Sequence, residues 1–277
     1  MNPLRLLVLL VSLPLLLGGC GEKEAVPVKP NLKYEIKDGT VTITGCDKKA
    51  SGALTIPATI EGKPVTSIGY QAFSNCKSLT SITIPDSMTS IGDEAFEICL
   101  DLTSITIGNG VTSIGEKAFY FCNSLTSITI PDGVTSIGEG AFQTCTNLSS
   151  ITIPDGVTSI GRNAFWNCSS LKSITIPDSV TSIGQWTFAG CSSLTSVTIG
   201  AGVTSIARLT FEDCRRLTTV TFLGDAPRVP EFDLGTPDER ILNAFHNANP
   251  TIYRKPEAKG WGDNFSGRPV KLISEKP

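Results

Sequence analysis

Two sets of residues in this 277-residue chain have the types and spacing to do chemistry. The first is a run of cysteines at a step of 23: Cys76, Cys99, Cys122, Cys145, Cys168, Cys191 and Cys214. A zinc centre needs ligands that converge on one point. Cysteines at one phase of a repeat instead form a ladder, roughly 4.8 Å from coil to coil if coils pair like strands. In a ladder each thiol packs as a small apolar group. Disulfides between adjacent coils are the alternative, since the spacing permits them; an odd number leaves at least one thiol unpaired. The second set is thin. The one histidine, His246, offers nucleophilic catalysis only a Cys214–His246 pair, and a lone surface histidine is more often inert. Carboxylates fall on turns (Asp86, Asp132, Asp155, Asp178) and beside the phenylalanines (Asp93, Glu94, Glu116, Glu139), where solvation explains them better than a loosely held calcium. No glycine-rich loop leads from a strand into a helix to hold phosphate. The inventory points away from an enzyme, with no cofactor and no metal.

The elements that position these residues follow from the same period. Phenylalanine recurs three residues before each cysteine, at Phe73, Phe96, Phe119, Phe142, Phe165, Phe188 and Phe211, and leucine three residues after it, from Leu79 to Leu217. A fixed period of this size is the signature of a solenoid, one body however long it runs. Within each coil, Leu79, Ile82 and Ile84 and their repeats point inward while Ser81 and Thr83 point out, as a strand period of two requires. Pro-Asp turns follow, replaced by Gly-Asn-Gly at 108–110 and Gly-Ala-Gly at 200–202. A short second strand comes next (Met88 to Ile91), and the spacing of Ala95, Phe96 and Cys99 predicts one helical turn. Seven coils over 65–222 would measure about 34 Å at strand spacing.

The ends depart from the period. Leu6 to Leu17 is an apolar run too short to span a bilayer, preceded by Arg5 and ending in Leu17-Gly18-Gly19-Cys20. Residues 1–20 read as an export signal and 21–30 as a tether. Residues 31–64, with a hairpin turning at Asp38-Gly39, read as an N-terminal cap. Residues 223–277 read as a degenerate coil and C-terminal cap. Its Ala244-Phe245 echoes the repeat 34 residues after Phe211, and Thr251–Tyr253 and Val270–Ile273 look like closing strands around Trp261-Gly262. A net charge of −3 and a pI near 5.3 give no basic field for nucleic acid.

The repeat Val-Thr-Ser-Ile-Gly-x-x-Ala-Phe-x-x-Cys-x-x-Leu-x-x-Ile-x-Ile-Pro resembles the bacterial surface-antigen, BspA-like or Treponema-type, leucine-rich repeat family. The resemblance covers about 54–222, and Gly260-Trp261-Gly262 with Arg268-Pro269 resembles that family's ending. It implies an α/β leucine-rich repeat solenoid with a parallel strand ladder, short helical turns and β-rich caps. It also implies a non-catalytic protein of bacterial surfaces, adhesive in some members. Ala207 replaces the coil glycine, and Thr187 and Thr210 replace the coil alanine. Leu-Gly-Gly-Cys resembles the lipobox, which implies acylation of Cys20 and anchoring at an outer membrane or cell surface.

Two outward surfaces remain. Thr83, Thr106, Thr129, Thr152, Thr175, Thr198 and Thr221 form a threonine column, and such a Ser/Thr face suits an ice- or glycan-contacting structural role. Beside the phenylalanines, residues differ in every coil. Tyr120, Gln143 and Trp166 share one column, with Phe121 and Trp186 in neighbouring columns. Tyr120 and Trp166 would stand roughly 10 Å apart, able to stack on a sugar or grip an apolar side chain of an extracellular partner. The plainer reading is that each ring, following directly on a core phenylalanine, folds down over the coil edge.

Overall fold

The computed structural model describes residues 32–229 and 243–276. The export signal, the tether and Cys20 lie outside the described residues, as does part of the segment after Phe222. The chain winds into a β-solenoid of eight coils, numbered here by their phenylalanines from Phe73 (coil 1) to Phe245 (coil 8). Neighbouring rings lie 5.1 to 5.5 Å apart between centroids and within 13° of parallel, an offset stack of the favourable kind. All eight rings are fully buried.

Three hydrogen-bonded columns run along the solenoid. The first stacks the longer strands in register, as in Ser81–Thr83 on Ser104–Thr106 and Ser173–Ile176 on Ser196–Ile199. The second stacks the short Ser-Ile pairs, from Ser67-Ile68 to Ser205-Ile206. Ile82, Ile84, Ile91, Leu79 and their repeats fill the space between, as alternation requires.

The third column corrects the helical-turn expectation. Around each phenylalanine the backbone makes successive turns, and successive amides point in different directions. In coil 1 the N–H groups of Gln71, Phe73 and Asn75 donate to the carbonyls of Asp93, Ala95 and Glu97 in the next coil, at 3.1, 2.8 and 2.7 Å. The N–H groups of Ala72, Ser74 and Cys76 donate within the coil, to Gly69, Gln71 and Phe73. A helix would send every amide along its own axis and leave the neighbouring coil unpaired. In coils 1 to 7 the alternation needs two left-handed residues each, two positions before and two after the phenylalanine: Gln71 and Asn75, Glu94 and Ile98, Asn163 and Asn167, and so on. The only helix among the described residues is the 3-10 turn Ile273–Glu275.

Glycine ladders set how closely the coils approach. A Cβ on Gly115 would lie 2.6 Å from the Asp93 amide nitrogen, and one on Gly138 would lie 2.5 Å from the Gly115 carbonyl carbon. By Gly184 the nearest such contact has opened to 3.0 Å. The next coil carries Ala207. Thr187 and Thr210 are buried in place of alanine because their hydroxyls donate to Gly184 and Ala207 carbonyls, at 2.8 and 2.7 Å.

Non-repetitive residues close both ends. Leu32–Lys37 and Thr40–Cys46 form a hairpin whose turn residues Asp38 and Gly39 are both left-handed, and Ile43 takes the register position before Ile68. At the far end Thr251–Arg254 pairs in parallel with Thr219–Phe222, and Arg268–Leu272 pairs with it in turn. Trp261 and Phe265 lie over Phe222, at 4.9 and 5.5 Å.

Candidate functional site

The third column positions the variable residues. Its outward side chains sit one residue after each phenylalanine and on the two left-handed residues. Along the first of these lines, coils 3 to 8 carry Tyr120, Gln143, Trp166, Ala189, Glu212 and His246. The two residues after Trp166 on this line decide the shape. Ala189 is small and buried, and it leaves a gap between Trp166 of coil 5 and Glu212 of coil 7. Trp186, on the left-handed residue of coil 6, borders the same gap. Asn163, Trp166, Trp186 and Glu212 line a depression of about 290 Å³.

The walls are held in place. The Arg162 guanidinium carbon lies 4.5 Å over the Trp186 ring, a cation–π contact. Trp186 Nε1 donates to Glu212 Oε2 at 3.1 Å, and Glu212 Oε1 lies 3.1 Å from His246 Nδ1. Both carboxylate oxygens are therefore anchored, and Trp186 cannot rotate without breaking two contacts. Trp166 is 42% exposed and bears no such clamp. A fixed indole beside an exposed one, with a carboxylate and an amide on the rim, can stack the apolar face of a flat group and accept hydrogen bonds from donors on its edge.

The five sequence candidates separate. Trp166 and Trp186 line the depression. Tyr120 packs edge-on against its neighbour Phe121 at 4.5 Å and 89°, away from the depression, and Gln143 is half-buried between. Asn163, Glu212 and Ala189 escaped sequence reading, although tabulating residues by repeat phase exposes the alanine between large neighbours.

The ladder cysteines make no reactive centre. Each thiol from Cys99 to Cys214 donates to the phenylalanine carbonyl of the preceding coil, at 3.1 to 3.2 Å. Burial pushes Cys145 and Cys191 up to about 12, and Cys99, Cys122, Cys168 and Cys214 well above the usual thiol value. Cys214 and His246 do not pair, since each faces another partner. Among the described residues no three His, Cys, Asp or Glu side chains are placed to hold a metal ion. Asp86 and Asp178 accept from the amides of Asn109 and Ala201, at 2.8 and 2.6 Å. These amides belong to the two Gly-x-Gly turns, where missing side chains allow the approach.

The threonine column is not uniform. Thr83 to Thr175 are exposed, Thr198 is half-buried and Thr221 is buried. The correction has a cause: Thr221 pairs with Tyr253, and Lys276 Nζ reaches its hydroxyl at 3.4 Å. No helix among the described residues is long and apolar enough to cross a membrane.

The sequence matches the BspA type leucine rich repeat region in six copies, over residues 54–171 and 112–231. It is 31% identical to the T. pallidum leucine-rich repeat protein, whose crystal structure superposes with a TM-score of 0.59 over 67% of this chain and 87% of that one. A leucine-rich repeat protein from Bacteroides ovatus is 23% identical over 91% of this chain and 77% of its own, with a TM-score of 0.48. A leucine rich cell surface protein from Faecalibacterium prausnitzii is 25% identical over 69% and 86%, with a TM-score of 0.36. No curated protein matches the chain. The matched repeats, covering more than half the sequence, carry the conclusion: the chain belongs to the BspA-type leucine-rich repeat family.

Proposed function

We propose that this protein is an exported, non-catalytic binding protein that holds an extracellular protein or glycan in the Trp166–Trp186 depression. The observation that carries the reading is the pairing of an exposed tryptophan with a clamped one across the gap left by Ala189. Exposed aromatics of this kind dominate interface energetics, and a depression near 300 Å³ lies at the small end of ligand sites. It fits one sugar ring or one side chain. Membership of a family of bacterial surface-type repeats supports the setting. The Leu17-Gly18-Gly19-Cys20 sequence supports attachment through an acylated Cys20, which metabolic labelling with a fatty acid in wild type and Cys20→Ser would test. A contacting role for the threonine face is the weaker reading, because the C-terminal cap folds over its end.

The binding test is a glycan array and a pull-down from surface extracts, run with wild type and with Trp166→Ala/Trp186→Asn. Asparagine at 186 preserves the left-handed backbone, as Asn163 does one coil earlier. Loss of the retained ligand with an unchanged unfolding midpoint supports the site; unaltered retention removes it.

A further inference from the structure

The cysteine ladder has one member unlike the others. From coil 2 to coil 7 each thiol donates to a phenylalanine carbonyl one coil upstream. Coil 1 has no upstream phenylalanine. Cys76 instead reaches the Asp47 carbonyl, at a long 3.8 Å, and the residue before Asp47 is Cys46. The Cys46 and Cys76 side chains interact directly, and both are free thiols in this structure. We propose that Cys46 and Cys76 are a disulfide-forming pair that bolts the N-terminal cap to the first coil, while the six other ladder thiols stay reduced.

The surroundings suit the reaction. The hydrogen bond from Cys46 holds Cys76 below the usual thiol value, aided by the Lys48 ammonium; the same coupling pushes Cys46 up. Lys48 is fixed because its Nζ donates to the Ser74 carbonyl. Cys46 is 5% exposed and Cys76 is fully buried, so an incoming disulfide meets Cys46 first. Cys46 passes its proton along the hydrogen bond to the Cys76 thiolate as its sulfur attacks the carrier disulfide, and the carrier thiolate released takes that proton from Cys76. The Cys76 thiolate then attacks Cys46 sulfur in the mixed disulfide and expels the second carrier thiol. Two protein thiols are oxidised, and one carrier disulfide is reduced to two thiols. The bond closes a loop of about 30 residues, long enough to restrict the unfolded chain appreciably. The other ladder thiols have no such route, being enclosed, neutral and committed to carbonyls.

The pair does not depend on the proposed binding site, and its test needs no ligand. The full chain carrying Cys20→Ser, purified reduced, is incubated with oxidised glutathione, alkylated in denaturant and measured by intact mass and peptide mapping. The expected product carries six alkylated cysteines and one Cys46–Cys76 linkage, and it unfolds at a higher temperature than the reduced form. Cys76→Ser should retain glutathione on Cys46, whereas Cys46→Ser should gain neither a linkage nor a higher midpoint. Eight alkylated cysteines in the oxidised wild type, glutathione retained there on Cys46, or a linkage within another pair would each overturn the proposal.

Discussion

Coil 4 and coil 1 share a sequence pattern and differ in what lies beside them. Phe142 has a ring on each side, at 5.2 and 5.3 Å, and Cys145 donates to the carbonyl of Phe119. Phe73 has a ring on one side only, at 5.1 Å, and Cys76 finds no phenylalanine carbonyl. What a neighbouring coil supplies in the middle, individual side chains supply at the ends. Lys48 covers the Ser74 carbonyl at the first edge. At the last edge Arg268 Nη2 donates to the Phe245 carbonyl, and Ser266 Oγ accepts from the Ala244 amide, both at 3.0 Å. Each turn column would otherwise expose unpaired backbone groups, the usual hazard of a sheet edge. A repeat residue is therefore chosen for its neighbour, and a cap residue for the neighbour's absence.

The largest expected effect separates the middle from the ends by pH. Cys99 to Cys214 have folded pKa values raised by burial, whereas in the unfolded chain they ionise near the ordinary thiol value of 9.0. Above that value the unfolded state binds fewer protons than the native state, so stability falls as pH rises. The loss begins near pH 9 and continues towards the folded value, about 12 for Cys145 and Cys191. Cys145 and Cys191 alone remove roughly 3 kcal/mol by pH 10, and the other four thiols act in the same direction. Denaturant titrations from pH 7 to 10.5 check this, and Cys145→Ala should flatten the slope by about one sixth. A stability independent of pH across that window would mean that the ladder thiols are not buried in the neutral form.

Next comes the stack. Phe142→Ala should cost about 3–5 kcal/mol. Phe73→Ala should cost about 0.5–1.5 kcal/mol less, because it loses one ring contact rather than two. Thr152→Ala, on the outward strand face, should stay within about 0.5 kcal/mol. Equal losses at Phe142 and Phe73 would mean that burial alone, and not the neighbouring ring, sets the value.

The caps give a smaller, local effect. Arg268→Met keeps the apolar stem and removes the donor to the Phe245 carbonyl, an expected loss of about 1–3 kcal/mol. Hydrogen exchange should quicken in coil 8 and leave coil 4 unchanged. Uniform quickening along the solenoid would show that the end is coupled to the middle as one cooperative unit.

How far the sequence discloses this molecule follows the same division. The phenylalanine, cysteine and leucine ladders are legible because each position repeats a side chain. The conformation around the phenylalanine was not, because Ala, Phe and Cys at one helical spacing fit a helix as well as alternating turns. A signal existed. Asn75, Asn167, Gly190, Asp213 and Asn247 occupy one phase, and Gly140 and Asn163 another, and these residue types tolerate left-handed backbone. The candidate site was half legible. Its tryptophans stand out by type, but Glu212 and Ala189 act only through their places in the column. The burial of Thr221 was invisible, since it depends on Lys276 returning from 55 residues away.

Those left-handed positions supply the smallest and most discriminating effect. Asparagine or glycine there is unstrained, whereas Ile98 is β-branched and sits at φ +56°, a conformation that costs an L-residue about 1–2 kcal/mol. The backbone holds it because the Ile98 amide donates to the Tyr120 carbonyl at 2.7 Å, a bond that the coil-to-coil pattern requires. Asn75 one coil earlier makes the equivalent bond to Glu97, also at 2.7 Å. Ile98→Asn should keep that bond and relieve the strain, and Ile98 is only half-buried, so little packing is lost. The expected gain is about 0.5–1 kcal/mol, less than the full strain because some apolar contact goes with it. The reverse change, Asn167→Ile, should lower stability by a similar amount, since Asn167 holds the same phase and bonds Ala189 at 2.7 Å. Paired denaturant midpoints decide the matter. If Ile98→Asn were destabilising while Asn167→Ile were neutral, apolar packing on the coil surface would outweigh backbone strain, and the left-handed column would be set by side chains rather than by the hydrogen bonds between coils.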